Sequence, residues 1–473
     1  MFAWLDSLTA PIPHLNLALS LLWGAYLLLL AGWIVLQKRE PIATLSWLLA
    51  LALLPIVGFL IYHFLGPQRI RRQRLKRLRS RARLDATRAA ANAALECSPT
   101  MRLVRASTGF PPSSAQTVRL LRDGGATYDA LIEAIGQAQH HVHVEYYIFE
   151  PDRTGARLRD ALIERAGKGV QVRVLMDAIG SAHMREAFLA PLRAAGAEIA
   201  WFHRFRLRRL WRPKMNLRSH RKIVVIDGGV GFTGGINITD EENERLRPDA
   251  YHDLHLRMDG EAVRWLQQAF LEDWAYAAHR LPNDDALWPA LAGGPIKAQV
   301  LPAGPDSSWE AIHRAMVAAI HGARRRVWLA TPYFVPGEAA RMALTSAALR
   351  GADVRLLVPA QSDSRLVTAA ARSYFDELLE AGVRVFEYPR MLHTKALLID
   401  TEGALLGSSN FDNRSFRLNF ELCVWFEDAG VAADLENILR LDLASAREIV
   451  PPRRQALLPN LVEATARLLS PLL

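Results

Sequence analysis

The chain has 473 residues, a formal charge of +10 and a sequence pI near 9.8. That length allows two or three domains, and the charge points to an anionic partner, either nucleic acid or an anionic lipid surface. Cys97 and Cys423 are the only cysteines and have no paired spacing, which excludes a disulfide framework and fits a reducing compartment.

Residues 1–14 form a short tail with Asp6 and no lysine or arginine. Two uncharged apolar runs follow, Leu15 to Leu36 and Ile42 to Leu65, each meeting the roughly 20 residues a membrane helix needs. Lys38, Arg39 and Glu40 make a polar turn between them and Pro41 opens the second, while Trp23, Trp33, Trp47 and Tyr62 supply interfacial aromatics. A cleaved signal peptide is disfavoured, because the tail lacks a positive start and no small-residue cleavage site follows. Residues 1–66 are therefore predicted to be a transmembrane hairpin. The basic tract after it, Arg69 to Arg83, outweighs the two cations of the turn, so the C-terminal bulk is expected in the cytoplasm. Beside a membrane span that tract reads as headgroup-binding, with a solvated helix face or a nucleic-acid arm as alternatives. Residues 67–115 are read as this basic juxtamembrane segment plus an Ala-, Ser- and Pro-rich linker.

The rest of the chain repeats itself. Tyr128 to Gln139 reads as a helix, His141 to Phe149 as a strand, Thr154 to Gly167 as a helix and Val170 to Met176 as a strand. Trp309 to His321, Arg326 to Phe334, Glu338 to Arg350 and Val354 to Val358 answer in the same order, and Ala190 to Trp201 matches Tyr374 to Phe386. Such alternation implies βαβ units. The predicted fold class is α/β, two duplicated halves of mixed sheets flanked by helices, at 116–296 and 297–446. Only the first half carries a basic, aromatic-bearing excursion, Arg204 to Lys214, before its motif; headgroup contact, a solvated loop and nucleic-acid contact all suit it. The tail, 447–473, suits an amphipathic helix lying on a membrane or on the domain.

One pattern is written twice. His220-x-Lys222, then Asp227, then the turn Gly234-Gly235-Ile236-Asn237 matches His393-x-Lys395, Asp400 and Gly407-Ser408-Ser409-Asn410. On a strand, His and Lys two residues apart share a face, so imidazole and ammonium can share one anion. The chain has only seven lysines, and finding one in each motif suggests that a compact ammonium is wanted there. Two His and two Lys in one pocket make a phosphoryl site. The lysines would neutralise phosphate oxygens, with Asn237, Asn410 and Ser408 as further phosphate or substrate contacts. One imidazole would attack phosphorus while the other protonates the leaving alcohol, each oriented by a carboxylate for which Asp253 and Glu421 are candidates. Asp227 and Asp400 are grouped with the motif as supports for strand and turn. His141, His143 and Glu145 alternate along a strand as a rival metal site, but there is no Cys cluster, HExxH or acidic triad, so neither metal nor cofactor is expected.

This duplicated motif resembles the phospholipase D superfamily. With Asn410 to Ser415, Asn419, Glu421 and Thr331 to Pro336, the chain is similar to the bacterial cardiolipin synthase family over nearly its whole length. The resemblance implies an active site at a pseudo-two-fold interface, with His220 as nucleophile and His393 as general acid. It also implies phosphatidyl transfer between two phosphatidylglycerol molecules at the inner membrane, releasing glycerol. Water or another alcohol as acceptor would give a phospholipase or a different headgroup transferase. A membrane-tethered nuclease is the alternative from another class; nucleic acid is not the expected partner, and oligomeric state is not readable.

Overall fold

The computed structural model describes residues 15–36, 41–54, 58, 59, 62, 97–202, 217–282, 284–307, 309–453 and 456–470. The predicted tail at 1–14, the basic tract at 69–83 and the excursion at 204–214 lie outside them. The N-terminal helices form one compact unit, and the described residues from 97 onward form another.

In the first unit, Leu15–Val35 is a helix whose Leu17–Val35 stretch is long and apolar enough to cross a bilayer. The second apolar run is a helix over Pro41–Leu53, and Gly58, Phe59 and Tyr62 beyond it are helical as well. Ile34, Leu51 and Tyr62 bury against one another, with the Trp33 and Trp47 rings edge-on to Tyr62. Leu21, Leu22, Leu28 and Leu29 stay exposed, as a lipid-facing surface requires.

The second unit contains the two predicted halves. The first is a seven-stranded sheet of β2 (Thr117–Leu121), β3 (His141–Tyr146), β4 (Gln171–Asp177), β5 (Glu198–Phe202), β6 (Ile223–Ile226), β7 (Val230–Gly234) and β8 (His255–Asp259), ordered β2-β8-β7-β6-β3-β4-β5. Strands β3, β4 and β5 run parallel, as helix crossovers require, whereas β6, β7 and β8 are joined as antiparallel neighbours. Helix Arg153–Gly167 falls where the periodicity predicts it, while Gly124–Gly136 and Glu186–Ala194 each begin four residues before the predicted start.

The second sheet repeats this plan with β9 (Ile296–Ala303), β10 (Arg326–Ala330), β12 (Asp353–Pro359), β13 (Arg384–Tyr388), β14 (Ala396–Ile399), β15 (Gly403–Gly407) and β17 (Glu421–Glu427). It is extended at its edges by β1 (Ser113–Ala115) and β18 (Arg447–Glu448), in the order β1-β9-β17-β15-β14-β10-β12-β13-β18. A separate pair, β11 (Phe334–Val335) with β16 (Phe411–Asp412), has its counterpart in the single bridge Phe149 to Ile238. β6 and β14 are fully buried aliphatic strands at matching places in the two sheets. One apolar cluster, including Val225, Phe270, Trp274, Val300, Leu398 and Val424, joins the halves.

One stretch differs from the reading by composition. Within the presumed linker, Pro99–Thr108 is a helix, capped by Ser98 and ended by Gly109 at φ 75°. Its Met101 and Val104 enter the core of the second half, a face that the surrounding Ser and Pro content concealed. In the tail, helix Leu457–Leu468 packs on helix Arg365–Arg372, with Ala466 buried and Tyr374 hydrogen-bonded to Ser470 at 2.9 Å, while Leu457, Leu458 and Leu461 remain exposed.

Candidate active site

Neither His-x-Lys tripeptide lies in a sheet strand. Each sits in the extended segment before β6 or β14, because its backbone pairs with the opposite half. The His220 N–H donates to the Phe420 carbonyl at 2.8 Å, and Phe420 N–H donates to the Arg218 carbonyl at 2.8 Å. In the mirror position, His393 N–H donates to the His252 carbonyl at 2.7 Å and His252 N–H to the Met391 carbonyl at 2.9 Å. The residues that follow Phe420 and His252 are Glu421 and Asp253, so this pairing carries each carboxylate to the other half's histidine. His220 Nδ1 lies 3.0 Å from Glu421 Oε2 and 3.0 Å from the Ser408 carbonyl. His393 Nδ1 lies 2.6 Å from Asp253 Oδ2. The neighbours of both Nδ1 atoms are acceptors, so Nδ1 carries the proton and the neutral ring keeps its lone pair on Nε2.

Both histidines line one cavity of about 420 Å³, together with Asn237 and Asn410. Behind them, Lys222 Nζ donates to the His220 carbonyl at 2.8 Å, and Lys395 Nζ donates to the His393 carbonyl and lies 3.4 Å from Asp253 Oδ2. Ser408, a predicted substrate contact, is not at the cavity surface. Its hydroxyl donates to Glu421 Oε2, which makes it a prop for the carboxylate. Arg221, the residue inside the first motif, is buried; it pairs with Asp273 and donates to the Glu421 carbonyl at 3.0 Å.

Residues 131–274 and 316–443, more than half of the chain, match the family described as cardiolipin synthase, PLD-like domain. The chain belongs to the cardiolipin synthase family. It is accordingly an enzyme of the phospholipase D type. Residues 25–67 match the phospholipase D–nuclease N-terminal family. Cardiolipin synthase of Geobacillus thermodenitrificans is 40% identical over 96% of this chain and 93% of its own length. Cardiolipin synthase 1 of Bacillus anthracis is 35% identical over 96% of this chain and 94% of its own length. The solved phosphatidylserine synthase of Haemophilus influenzae Rd KW20 shares the fold, with a TM-score of 0.59 and 14% identity over 80% of this chain and 100% of that one. The cardiolipin synthase family is membrane-associated, in keeping with the apolar N-terminal helix.

Burial sets the electrostatics. It pulls His220 below its ordinary pKa, with Lys222 and Lys395 adding to the effect and Glu421 opposing it. Burial and then Lys395 pull His393 well down. Lys222 falls to about 7 through burial and then the charge of Lys395. Burial pushes Glu421 up, but His220, Lys222 and Ser408 outweigh it and hold the carboxyl below its usual range. For Asp253 burial wins and the pKa rises. An anionic ligand between the rings would return proton affinity to both histidines and to Lys222.

Sequence reasoning missed several cavity residues. Tyr147 stands with its ring 5.0 Å from His220, and Arg218 and Arg414 line the same side. Glu242, itself buried, accepts from the Asn237 side chain at 2.6 Å and lies 3.7 Å from His393 Nδ1. Glu242, Asp253 and His393 are also spaced as cation ligands, with Glu242 accepting from Asn237, and Asp253 bonded to His393 and Lys395. The rival strand cluster does not converge. His141 and His143 bond to Gln267, and Glu145 accepts from Ser219 at 2.6 Å.

The motif aspartates lie away from the cavity. Asp227 accepts from the backbone N–H groups of Gln139, His140 and His141, and Asp400 from those of Arg324, Arg325 and Arg326. Both sit at φ 50°, closing the turn after β6 or β14. They anchor the strands that present the site and touch no reacting group. Asp400→Ala is expected to cost about 2 kcal/mol of stability, from lost charge-assisted hydrogen bonds and an unfavourable left-handed alanine. A lowered thermal midpoint with turnover per folded molecule retained checks this. Burial raises the Asp400 carboxyl, but the three amides outweigh it and hold the pKa low. Its stabilisation is therefore present above the unfolded carboxyl pKa and is lost as pH falls through the folded one.

Proposed function

We propose that the protein is a membrane-bound phosphatidyltransferase that makes cardiolipin and glycerol from two phosphatidylglycerol molecules. The observation that carries this reading is the pair of histidines in one cavity, each with Nδ1 held by a carboxylate and Nε2 left for substrate. Following the resemblance, His220 Nε2 attacks phosphorus to form an N–P bond. The P–O bond to glycerol breaks, and protonated His393 supplies the proton that glycerol takes away. In the second step the hydroxyl of another phosphatidylglycerol attacks the phosphorus, gives its proton to His393 and releases His220. The first step trades a P–O bond for the N–P bond and the second restores a P–O bond, so overall one phosphodiester replaces another and no nucleotide is consumed. Lys222, Lys395, Asn237 and Asn410 stabilise charge on the phosphoryl oxygens, and Glu421 and Asp253 stabilise the rings as they become cationic.

The two apolar runs are proposed to cross the inner membrane as a hairpin, with the catalytic unit on the cytoplasmic side where the basic tract meets anionic lipid. Reconstitution in phosphatidylglycerol vesicles tests the activity. Cardiolipin and free glycerol should appear in equal amounts, without nucleotide and with undiminished rate in chelator. Phosphatidic acid as the main product would instead mark a phospholipase.

A further inference from the structure

The two halves repeat their chemistry but not their cavity walls. The fourth and fifth residues after Asn237 are Glu241 and Glu242, and those after Asn410 are Arg414 and Ser415. The matching backbone bridges, Phe149 with Ile238 and Phe334 with Phe411, confirm that these segments are equivalent in space as well as in sequence. At this one place the duplication has exchanged acid for base. The cavity carries its guanidinium groups and most of its carboxylates on different walls, the exception being Asp412, which accepts from the Ser415 N–H as cap of the helix Asn413–Arg417. Around His220 stand Arg218, Arg414 and Tyr147, which influence one another's ionisation. Around His393 stand Glu241, Glu242, Tyr251, Tyr333 and Asp363. The Tyr251 ring lies 5.9 Å from that of His393, and burial first, then Glu241, Asp363 and Glu242, raise its phenol. Tyr333 donates to Asp363 at 2.7 Å, and Tyr251 makes no hydroxyl hydrogen bond among the described residues. Arg247, 3.9 Å from Glu241, is the cation beside this wall.

We propose that the His393 wall is the subsite for the polyhydroxyl fragment, and that it sets the preference of the transfer for glycerol over simple alcohols. The proposal rests on the phosphatidyl-transfer reading and adds the side on which alcohol leaves and enters. Carboxylates repel phosphate oxygens but accept hydrogen bonds from hydroxyls, and a glycerol fragment offers two adjacent donors beyond the reacting oxygen. Tyr251 can either donate or accept, which suits a ligand whose hydroxyls do both. The wall also adjoins the ring proposed to exchange a proton with the alcohol, so an alcohol bound there lies beside its proton partner. The opposite wall, with two guanidinium groups, suits phosphate oxygens. A primary ammonium would also be attracted to this wall by charge. However, Glu242 is already paired with Asn237 and Asp363 with Tyr333, so the wall is supplied with donors before any ligand arrives.

The test offers labelled glycerol, propan-1-ol and ethanolamine together to the full-length protein in phosphatidylglycerol vesicles and measures the three transfer products. Wild type should favour glycerol over propan-1-ol. Tyr251→Phe and Glu241→Arg, the latter copying the residue of the second half, should each lower that ratio about tenfold or more while the propanol product persists. An unchanged ratio overturns the proposal, as does a wild type that prefers ethanolamine. Equal loss of all products in both variants also overturns it, since the wall would then serve the chemistry common to every acceptor. A wild type that makes neither cardiolipin nor any alcohol adduct refutes phosphatidyl transfer itself, a result distinguishable from the other three.

Discussion

His220→Ala and His393→Ala are each expected to lower cardiolipin formation from phosphatidylglycerol vesicles by about 10⁴-fold or more. Without the first ring no N–P bond can form, and without the second the leaving glycerol must depart as an alkoxide. The two residues act in one sequence of steps, so the double variant should be scarcely worse than either single one. Each ring lines the cavity and is about nine-tenths buried, so alanine leaves space and no new contact near the lysines. Retention of a tenth of wild-type turnover by either variant would contradict the paired-histidine chemistry.

Glu421→Gln and Asp253→Asn should come next in size, with turnover down about 10³-fold and little change in folded yield. An amide keeps the shape of the carboxylate but can present a donor to Nδ1, which favours the tautomer with the proton on Nε2. It also withdraws the charge that steadies the ring when it becomes cationic. The variants are not interchangeable. Glu421 is held by Ser408, Asn419 and His220, whereas Asp253 is held by the Leu254 N–H, His393 and Lys395. In Asp253→Asn the loss of a charge that supports the Lys222 ammonium should shift the fall in activity to lower pH. In Glu421→Gln the same shift is expected through Lys222, whose pKa is already about 7. Comparing rate against pH for both variants and wild type checks the point.

Much of the architecture was legible because the chain says it twice. Two matched motifs at equal spacing fixed β6 and β14, the turns after them and the order of the preceding helices and strands. Asp253 and Glu421 were also visible as carboxylates at comparable distances after the motifs. Their crossed pairing was not, since His220 and Glu421 meet only through backbone bridges between halves. Asp227 and Asp400 accept from backbone N–H groups, in line with the support read for them, whereas Ser408, read as a substrate contact, holds Glu421. Local spacing reports that a residue is constrained, but not by what. The helix Pro99–Thr108 was hidden because its apolar face is only a few residues within a polar, Ser-rich stretch. The contrast of Glu241 with Arg414 was in the letters throughout and needed only the two copies laid side by side.

Trapping the covalent intermediate tests the central chemistry most directly. The wild-type protein is mixed with phosphatidylglycerol labelled in the phosphate, quenched in alkali during turnover and digested, and the label is located by mass spectrometry. Label on His220, stable in alkali, released by acid and absent from the His220→Ala variant, is the expected result. Label confined to another residue, or cardiolipin formed at wild-type rate by a protein lacking His220, would contradict it.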